Sequence, residues 1–539
     1  MKMLQKICLS FSSFGCTLFL LNLKYHIEYG LFLSLLLMSI YPYGKIKINK
    51  TESIKLDIIY TFLLFSVIST IFVVYSKYPI GYFDVFYHFL STKNIITEGK
   101  IVFQSSPSLN FVGLYLYVNA LTSVSNLSLI NTIRFFPIFS YLYIIFIFYI
   151  FTAKKVLPEN MSFFGTLIFG LTWGVYRFSI EYRTLNIAFP AFLLVYSILL
   201  NKEKWKITIL SRRWVVLLLL FILVLTISHF TTVIFLWFVL IVYMASSRRD
   251  VKIGLLYLFT SVVTFYLYLF WMSGGFHSAF TILISLIKSV LFKSEEMPPA
   301  APQGAVGLTY GVVIFLIQWV IRGLFLISLL FYIHSFRKSA EKNYFLLVTF
   351  FIFGGMLFYS AVVGAFLNPS RNQTFFAIPY SIIYVLGLQE FIKRVLPEKQ
   401  ISSRKTKCPG MYLFLVVIFL LLTNTSKYPM FIVGDTKPIR GEEAIDHHYF
   451  YWIDDLDLSA RDYYMGDHFN GKPHLNYSSV PLKCIYQNGN IDTNYTVYRM
   501  YYNRSRSPEY GDIQLEKFDV IYTNGEVIIV REGNWEPSV

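Results

Sequence analysis

Leu109-Asn110-Phe111-Val112-Gly113-Leu114-Tyr115-Leu116-Tyr117-Val118-Asn119-Ala120-Leu121, in the apolar window 109–125, can be read either as a membrane span or as a surface helix. Its polar residues break the apolar run, and on a helix the rest gather on one face. Whether 109–125 crosses a bilayer or lies along it fixes the topology of everything that follows. Thirteen other apolar windows surround it, at approximately 7–23, 28–43, 57–75, 128–151, 162–177, 187–200, 214–229, 231–245, 252–272, 309–333, 344–366, 374–393 and 411–425. Basic clusters between them decide the question. They are Lys45/Lys47/Lys50/Lys55, Lys154/Lys155, Lys202–Lys206 with Arg212/Arg213, Arg248/Arg249/Lys252, Arg337/Lys338/Lys342 and Lys393–Lys407. Short loops rich in Lys and Arg stay on the cytoplasmic side. All six clusters share that side only if 109–125 does not cross, so it is expected to lie on the outer surface as an amphipathic helix.

The composition agrees with a membrane chain. Of 539 residues, 55% are apolar, 19% aromatic and only 14% charged, and the mean hydropathy is +0.55. Soluble domains carry about 25% charged residues, which excludes a soluble enzyme. The net charge of +16 is unevenly spread. From Lys427 onward there are 11 basic and 17 acidic residues, a net of −6, which leaves +22 on residues 1–426. That excess sits in short loops, and no basic face interleaved with aromatics suggests nucleic acid. Cys8, Cys16, Cys408 and Cys484 have neither metal-ligand spacing nor the pattern of a disulfide framework. Lys2 and Lys6 precede an apolar run without a small-x-small cleavage site, the outline of a retained first helix.

The expected fold is a polytopic α-helical membrane protein of about 13 spans with a small C-terminal extracytoplasmic α/β domain. Two N-terminal spans fill 1–55, and a transmembrane domain fills 56–425, with long outer loops at 76–127 and 273–308. Met297-Pro298-Pro299-Ala300-Ala301-Pro302 makes the second of these a flexible loop. Residues 426–539 are polar and rich in Tyr, Asp and Asn. In them Asn524-Gly525 joins two β-rich runs, the strongest short hairpin signal. The location is the plasma membrane, with the N-terminus cytoplasmic and the C-terminal domain outside.

Charges are rare in this chain and are weighed one at a time. Asp84 stands in Phe83-Asp84-Val85-Phe86-Tyr87-His88, just beyond the third span, with His88 four residues on and so on the same helical face. A carboxylate there can take a proton, hold a sugar hydroxyl or ligate a metal; it can equally cap a helix. Glu181 and Arg183 share the short loop Glu181-Tyr182-Arg183, where an interfacial ion pair is the simpler alternative. Arg322 lies near the middle of an apolar window, and an arginine there costs at least about 2.5 kcal/mol unless it snorkels to the interface. Arg371, in Asn368-Pro369-Ser370-Arg371-Asn372, opens a span from outside, where a guanidinium suits phosphate. His229 stands in the tight turn Ser228-His229-Phe230-Thr231-Thr232 and reads first as a satisfied turn residue. Glu295 and Glu296 read as solvated charges.

The order of parts resembles the GT-C superfamily of integral-membrane glycosyltransferases, which use polyprenyl-phosphate-linked sugars. The parts are a span, a long outer loop opening with Asp84, a surface helix, several spans, Arg371 at a late span's outer end and an external domain. Oligosaccharyltransferase catalytic subunits, protein mannosyltransferases and lipid A aminoarabinose transferases belong to that superfamily. Phe83-Asp84-Val85-Phe86-Tyr87-His88, Ser228-His229-Phe230-Thr231-Thr232 and Phe518-Asp519-Val520-Ile521-Tyr522-Thr523-Asn524-Gly525 look like strings of its archaeal members. The resemblance spans about 56–539 as architecture.

It implies transfer of a sugar from a polyprenyl-phosphate donor, of dolichol type, to a glycan, lipid or protein acceptor outside the membrane. Asp84 would be the catalytic base or a metal ligand, with His88 beside it and Glu181 as the second acid. Arg371 with Arg322 would hold the donor phosphate, with Arg183 and His229 as further candidates. The implied cofactor is a divalent metal, magnesium or manganese. The family's Asp-x-Asp or Glu-x-Asp pair is absent, since Tyr82 and Phe86 flank Asp84. The oligosaccharyltransferase Trp-Trp-Asp is also missing, so a single sugar is the expected cargo. The alternatives are a lipid or oligosaccharide transporter or flippase, a polysaccharide polymerase or ligase, and a non-catalytic relative whose external domain binds a surface partner.

Overall fold

Apolar windows become helices here because a backbone in lipid must satisfy its polar groups internally. The computed structural model describes residues 2–24, 33–34, 36–48, 54–75, 83–99, 101, 111–176, 182–201, 212–246, 251–273, 276–291, 308–336, 341–363, 369–395, 412–418 and 420, together with six short strands beyond 470.

The helices are α1 (Lys2–Lys24), α2 (Ile40–Ile48), α3 (Ile54–Tyr75), α4 (Phe83–Glu98), α5 (Gly113–Ser125), α6 (Leu129–Ile147), α7 (Glu159–Leu171) and α8 (Trp173–Tyr176). They continue with α9 (Leu185–Leu200), α10 (Arg212–Ser228), α11 (Phe230–Ser246), α12 (Val251–Ser273), α13 (Phe276–Leu291), α14 (Leu308–Phe336), α15 (Glu341–Val363) and α16 (Pro369–Val395). Among the described residues, four stretches are long and apolar enough to cross a membrane: Met3–Leu21, Leu129–Val156, Gly254–Ser273 and Asn372–Val395. Shorter apolar helices accompany them. The chain is a multi-pass membrane protein.

Helix α9 is apolar on every side and buried along nearly its whole length, as a helix at the centre of a bundle must be. Phe189 and Phe192 of α9 meet Phe375 of α16 edge-on, and Phe235 of α11 stacks flat on the same ring at 4.0 Å. Close approach of α14 and α16 depends on Gly387, where a Cβ would collide with the Ser328 carbonyl. At its far end α6 passes through a π-helical turn, Phe148–Ala153, in which Thr152 bonds Ser197 of α9 and Phe148 stacks on Phe169 at 3.9 Å. The N-terminal helices join the same buried core through Cys16, Phe19, Met38 and Tyr41.

Two features depart from the sequence expectation. Lys45 does not lie in a solvated loop, because α2 runs on to Ile48. Its ammonium is 2.7 Å from Asp57 of α3, with the two side chains only 8% and 3% exposed, and Tyr41 Oη donates to the same carboxylate at 2.9 Å. The second departure is α13, which occupies the stretch expected to open a long loop. Its exposed apolar Phe280 and Ile284 alternate with polar His277, Thr281 and Ser285 at helical spacing. Met297–Pro302 and the Glu295/Glu296 pair lie outside the described residues.

Near the C-terminus are β1 (Lys472–Leu475), β2 (Ile491–Arg499), β3 (Tyr501–Tyr502), β4 (Ser505–Arg506), β5 (Phe518–Thr523) and β6 (Val527–Glu532). Four of them form a sheet in the order β1-β2-β6-β5. β1 and β2 run parallel, while β6 is antiparallel to both β2 and β5. The β5–β6 pair flanks Asn524-Gly525, with a register shift between Val520 and Tyr522.

Candidate functional site

Helix α4 sets the frame of the site. Positions 84, 88 and 92 follow one another at four-residue intervals and so share a face. The backbone of Asp84 falls in the first turn of α4, while its side chain is outside the described residues. His88 is buried, and its Nδ1 lies 2.7 Å from the hydroxyl of Tyr115 in α5. One turn on, Thr92 Oγ1 donates to the His88 carbonyl at 2.8 Å and lies 2.7 Å from Tyr182 Oη. A threonine hydroxyl has one proton. With that proton on the His88 carbonyl, Tyr182 is the donor to Thr92. Burial pushes the Tyr182 phenol well above its ordinary range, which keeps this proton in place.

Tyr182 carries the next candidate with it. The Arg183 backbone N–H donates to Asn186 Oδ1 at 2.9 Å, and the Asn186 carbonyl accepts from Ser140 Oγ of α6 at 2.6 Å. The loop of 182–186 is thereby tied to α4 on one side and α6 on the other. Phe136 of α6 meets the Tyr182 ring edge-on. Arg183 is only 6% exposed. A loop that reads as an interfacial ion pair therefore turns its arginine inward.

The third component is the turn between α10 and α11. His229 is buried there; its Nδ1 accepts from the Thr232 backbone N–H at 3.4 Å and lies 3.1 Å from Thr232 Oγ1. Through this contact His229 caps the start of α11. The preceding Ser228 is fully buried and lies against Gly113 at the start of α5. A Cβ at position 113 would strike Ser228 Oγ, so glycine is required for this approach. On its other side the α5 start meets α12, where Val112 N–H donates to Tyr268 Oη at 3.2 Å and Phe111 stacks on the Tyr268 ring. Tyr115, two residues after Gly113, holds His88. Both histidines are thus joined through the first turn of α5. That helix begins against the end of α10, and three residues separate its last residue from α6.

The remaining candidates are placed separately. Glu181 lies outside the described residues, and Arg371 has its backbone in the first turn of α16 with its side chain outside them. Arg322 is exposed, midway along α14, with its guanidinium 5.6 Å from the Trp319 ring centroid. Among the described residues no group of three or more His, Cys, Asp or Glu could hold a metal ion. The one described imidazole beside position 84 is already engaged with Tyr115.

Thr92, Tyr115, Tyr182, Ser228 and Tyr268 were not singled out by sequence. Four-residue spacing from His88 could have found Thr92. The tyrosines are hidden among 41 in the chain.

No family model matches the sequence, and no curated protein matches it. The chain is similar to the crystal structure of ArnT from Cupriavidus metallidurans bound to undecaprenyl phosphate, at 12% identity and a TM-score of 0.47, over 88% of this chain and 98% of that one.

Proposed function

We propose that this membrane protein is a GT-C-type glycosyltransferase that moves one sugar from a polyprenyl-phosphate-linked donor to an acceptor on the extracytoplasmic side. The observation that carries the reading is the face of α4. It runs from Asp84 through His88 to Thr92, and Tyr182 joins it to the buried Arg183. In this reading Asp84 is the acid and Arg183 the cation that the hydrogen-bonded frame of His88, Thr92 and Tyr182 supports.

Such a transfer makes two electrostatic demands. The acceptor hydroxyl attacks the anomeric carbon, and its proton passes to the Asp84 carboxylate as the new C–O bond forms. The bond from the anomeric carbon to the phosphate oxygen breaks, and its electron pair leaves with the polyprenyl phosphate. Positive charge held at the boundary stabilises that departing oxygen. Arg371 at the start of α16 and Arg183 supply it. His88, fixed by Tyr115, orients the acid's face of α4, and Glu181, two residues before Arg183 in the sequence, is the proposed second acid. The acceptor is a glycan, lipid or protein hydroxyl presented from outside, and the polar 426–539 segment is an extracytoplasmic domain suited to meeting it.

The test is sugar release from a panel of polyprenyl-phosphate sugars by purified protein in detergent. Asp84→Asn is expected to lower turnover by about 100-fold or more, the usual contribution of a general base. Unchanged turnover in that variant removes the proposed base.

A further inference from the structure

Helix α13 follows α12 after residues 274 and 275 and packs against it, with Ala279 fully buried. The rest of its surface is divided lengthwise. Phe280 and Ile284 make an exposed apolar row at four-residue spacing, and His277, Thr281 and Ser285 make the adjoining exposed polar row. An open apolar row is unfavourable in water, and an open polar row is unfavourable in hydrocarbon. A helix that carries both side by side suits the boundary between the two media.

Length and loop charge lead to the same place. At about 1.5 Å per residue, the 16 residues of α13 reach about 24 Å, short of a hydrocarbon core of about 30 Å. Arg248, Arg249 and Lys252 stand at the start of α12, and Arg337 and Lys338 follow the end of α14. Short basic loops stay cytoplasmic. By that rule α12 leads outward and α14 returns, so α13 begins and ends outside. Its neighbour α12 holds the apolar stretch Gly254–Ser273, with Phe259, Leu267, Phe270 and Trp271 exposed along it. Trp271 stands two residues before the end of that stretch and is of the type that gathers at headgroup level. The open apolar row of α13 begins a few residues later, next to a helix whose own exposed flank is suited to lipid.

We infer that α13 lies along the outer membrane–water interface and that its partner is the bilayer surface, with Phe280 and Ile284 among the upper acyl chains and His277, Thr281 and Ser285 toward water. Amphipathic helices in this position bury their apolar face about 5–10 Å into the boundary between headgroups and chains. The placement bears on the candidate site. The Trp271 ring meets Tyr268, whose hydroxyl accepts from the Val112 N–H and whose ring stacks on Phe111 at the start of α5. By anchoring the end of α12, α13 sets the depth at which the first turn of α5, with Tyr115 and His88, is seated. The inference is independent of whether the chain transfers sugar.

The experiment places the full chain in phosphatidylcholine nanodiscs, with the fluorescent residue acridonylalanine encoded singly at position 259, 277, 280, 281 or 284, all of them exposed. Melting curves confirm that each labelled chain folds like the wild type. The quenchers are iodide in the water and nitroxide lipids labelled on the headgroup, high on the acyl chain or near the chain end. Labels at 280 and 284 are expected to be quenched at least about twofold more by the upper-chain nitroxide than by iodide, as burial to that depth requires. Labels at 277 and 281 should respond to iodide and the headgroup nitroxide, and the label at 259, within the α12 span, to the chain-end nitroxide. Iodide quenching at all the α13 positions without response to any nitroxide lipid overturns the inference, because α13 then stands clear of the membrane. Labels at 280 and 284 that follow 259 overturn it too, by placing the helix in the hydrocarbon core. So do labels at 280 and 284 shielded from every quencher, because another segment of the chain or a second copy then covers the apolar row.

Discussion

Arg183 and Arg322 exchange the places their sequence contexts assign. Arg183 stands in a short polar loop, where an arginine ordinarily faces water, yet it is buried. Arg322 stands in the middle of a 29-residue apolar helix, yet it is exposed and lies over Trp319. Hydropathy along a chain records depth in the membrane, not depth in the protein. A lipid-facing helix and a buried one have equally apolar windows. The direction of one side chain is set by packing, through Tyr182 and Asn186 for Arg183 and through nothing comparable for Arg322.

The largest effect should come from the buried member of the pair. Arg183→Ala is expected to lower sugar transfer by about 1,000-fold, the upper range for removing a preorganised charge stabiliser. Arg183→Lys should fold and recover little of it, because an ammonium lacks the planar fork of a guanidinium. Measured kcat for the two variants checks this, with the detergent melting curve separating folding from catalysis. Equal activity in wild type and Arg183→Ala would reduce Arg183 to a packing residue.

Lys45 sharpens the same lesson, since it was read as one of a basic loop cluster and its side chain is also buried. Here the partner is visible, Asp57 at 2.7 Å, with Tyr41 on the other carboxylate oxygen. Removing one partner of a buried pair leaves an uncompensated charge, so Lys45→Met or Asp57→Leu alone should cost about 3 kcal/mol. The double variant should recover much of that loss, because paired apolar residues replace a buried ion pair at little cost. Melting of the three variants tests it. A double variant no better than the worse single one would mean the residues act separately.

Much of the helical frame was legible because a span must be apolar over its whole length. Window 57–75 became Ile54–Tyr75, and window 252–272 became Val251–Ser273. The Asn524-Gly525 hairpin was legible for a local reason, the turn chemistry of two residues. Helix α13 escaped because its polar face interrupts every apolar window, although its period is helical. At the site, spacing placed Asp84 and His88 on one helix. It did not reveal Tyr115, Tyr182 or Ser228, whose roles come from contacts 27, 90 and over a hundred residues away in sequence. Such contacts leave no periodic trace, and in a chain this rich in tyrosine composition offers no substitute.

Arg322 should give the smallest effect. Cα–Cβ bonds in a helix tilt toward its N-terminus, so its side chain reaches back toward Trp319, one turn nearer Leu308. A helix of 29 residues is about 43 Å long against a hydrocarbon core of about 30 Å. With the overhang placed at the Leu308 end, Arg322 would come within about 8 Å of the interface, inside the reach of a snorkelling arginine. Trp319 is an interface residue by type and stacks on the guanidinium as it goes. Arg322→Leu is then expected to change transfer by less than about threefold and to leave the melting temperature unchanged or slightly raised, because it removes a cation from the lipid-facing surface. A tenfold loss of transfer with normal melting would return Arg322 to the donor phosphate, and the contrast with Arg183 would then be one of position along the donor and not of function.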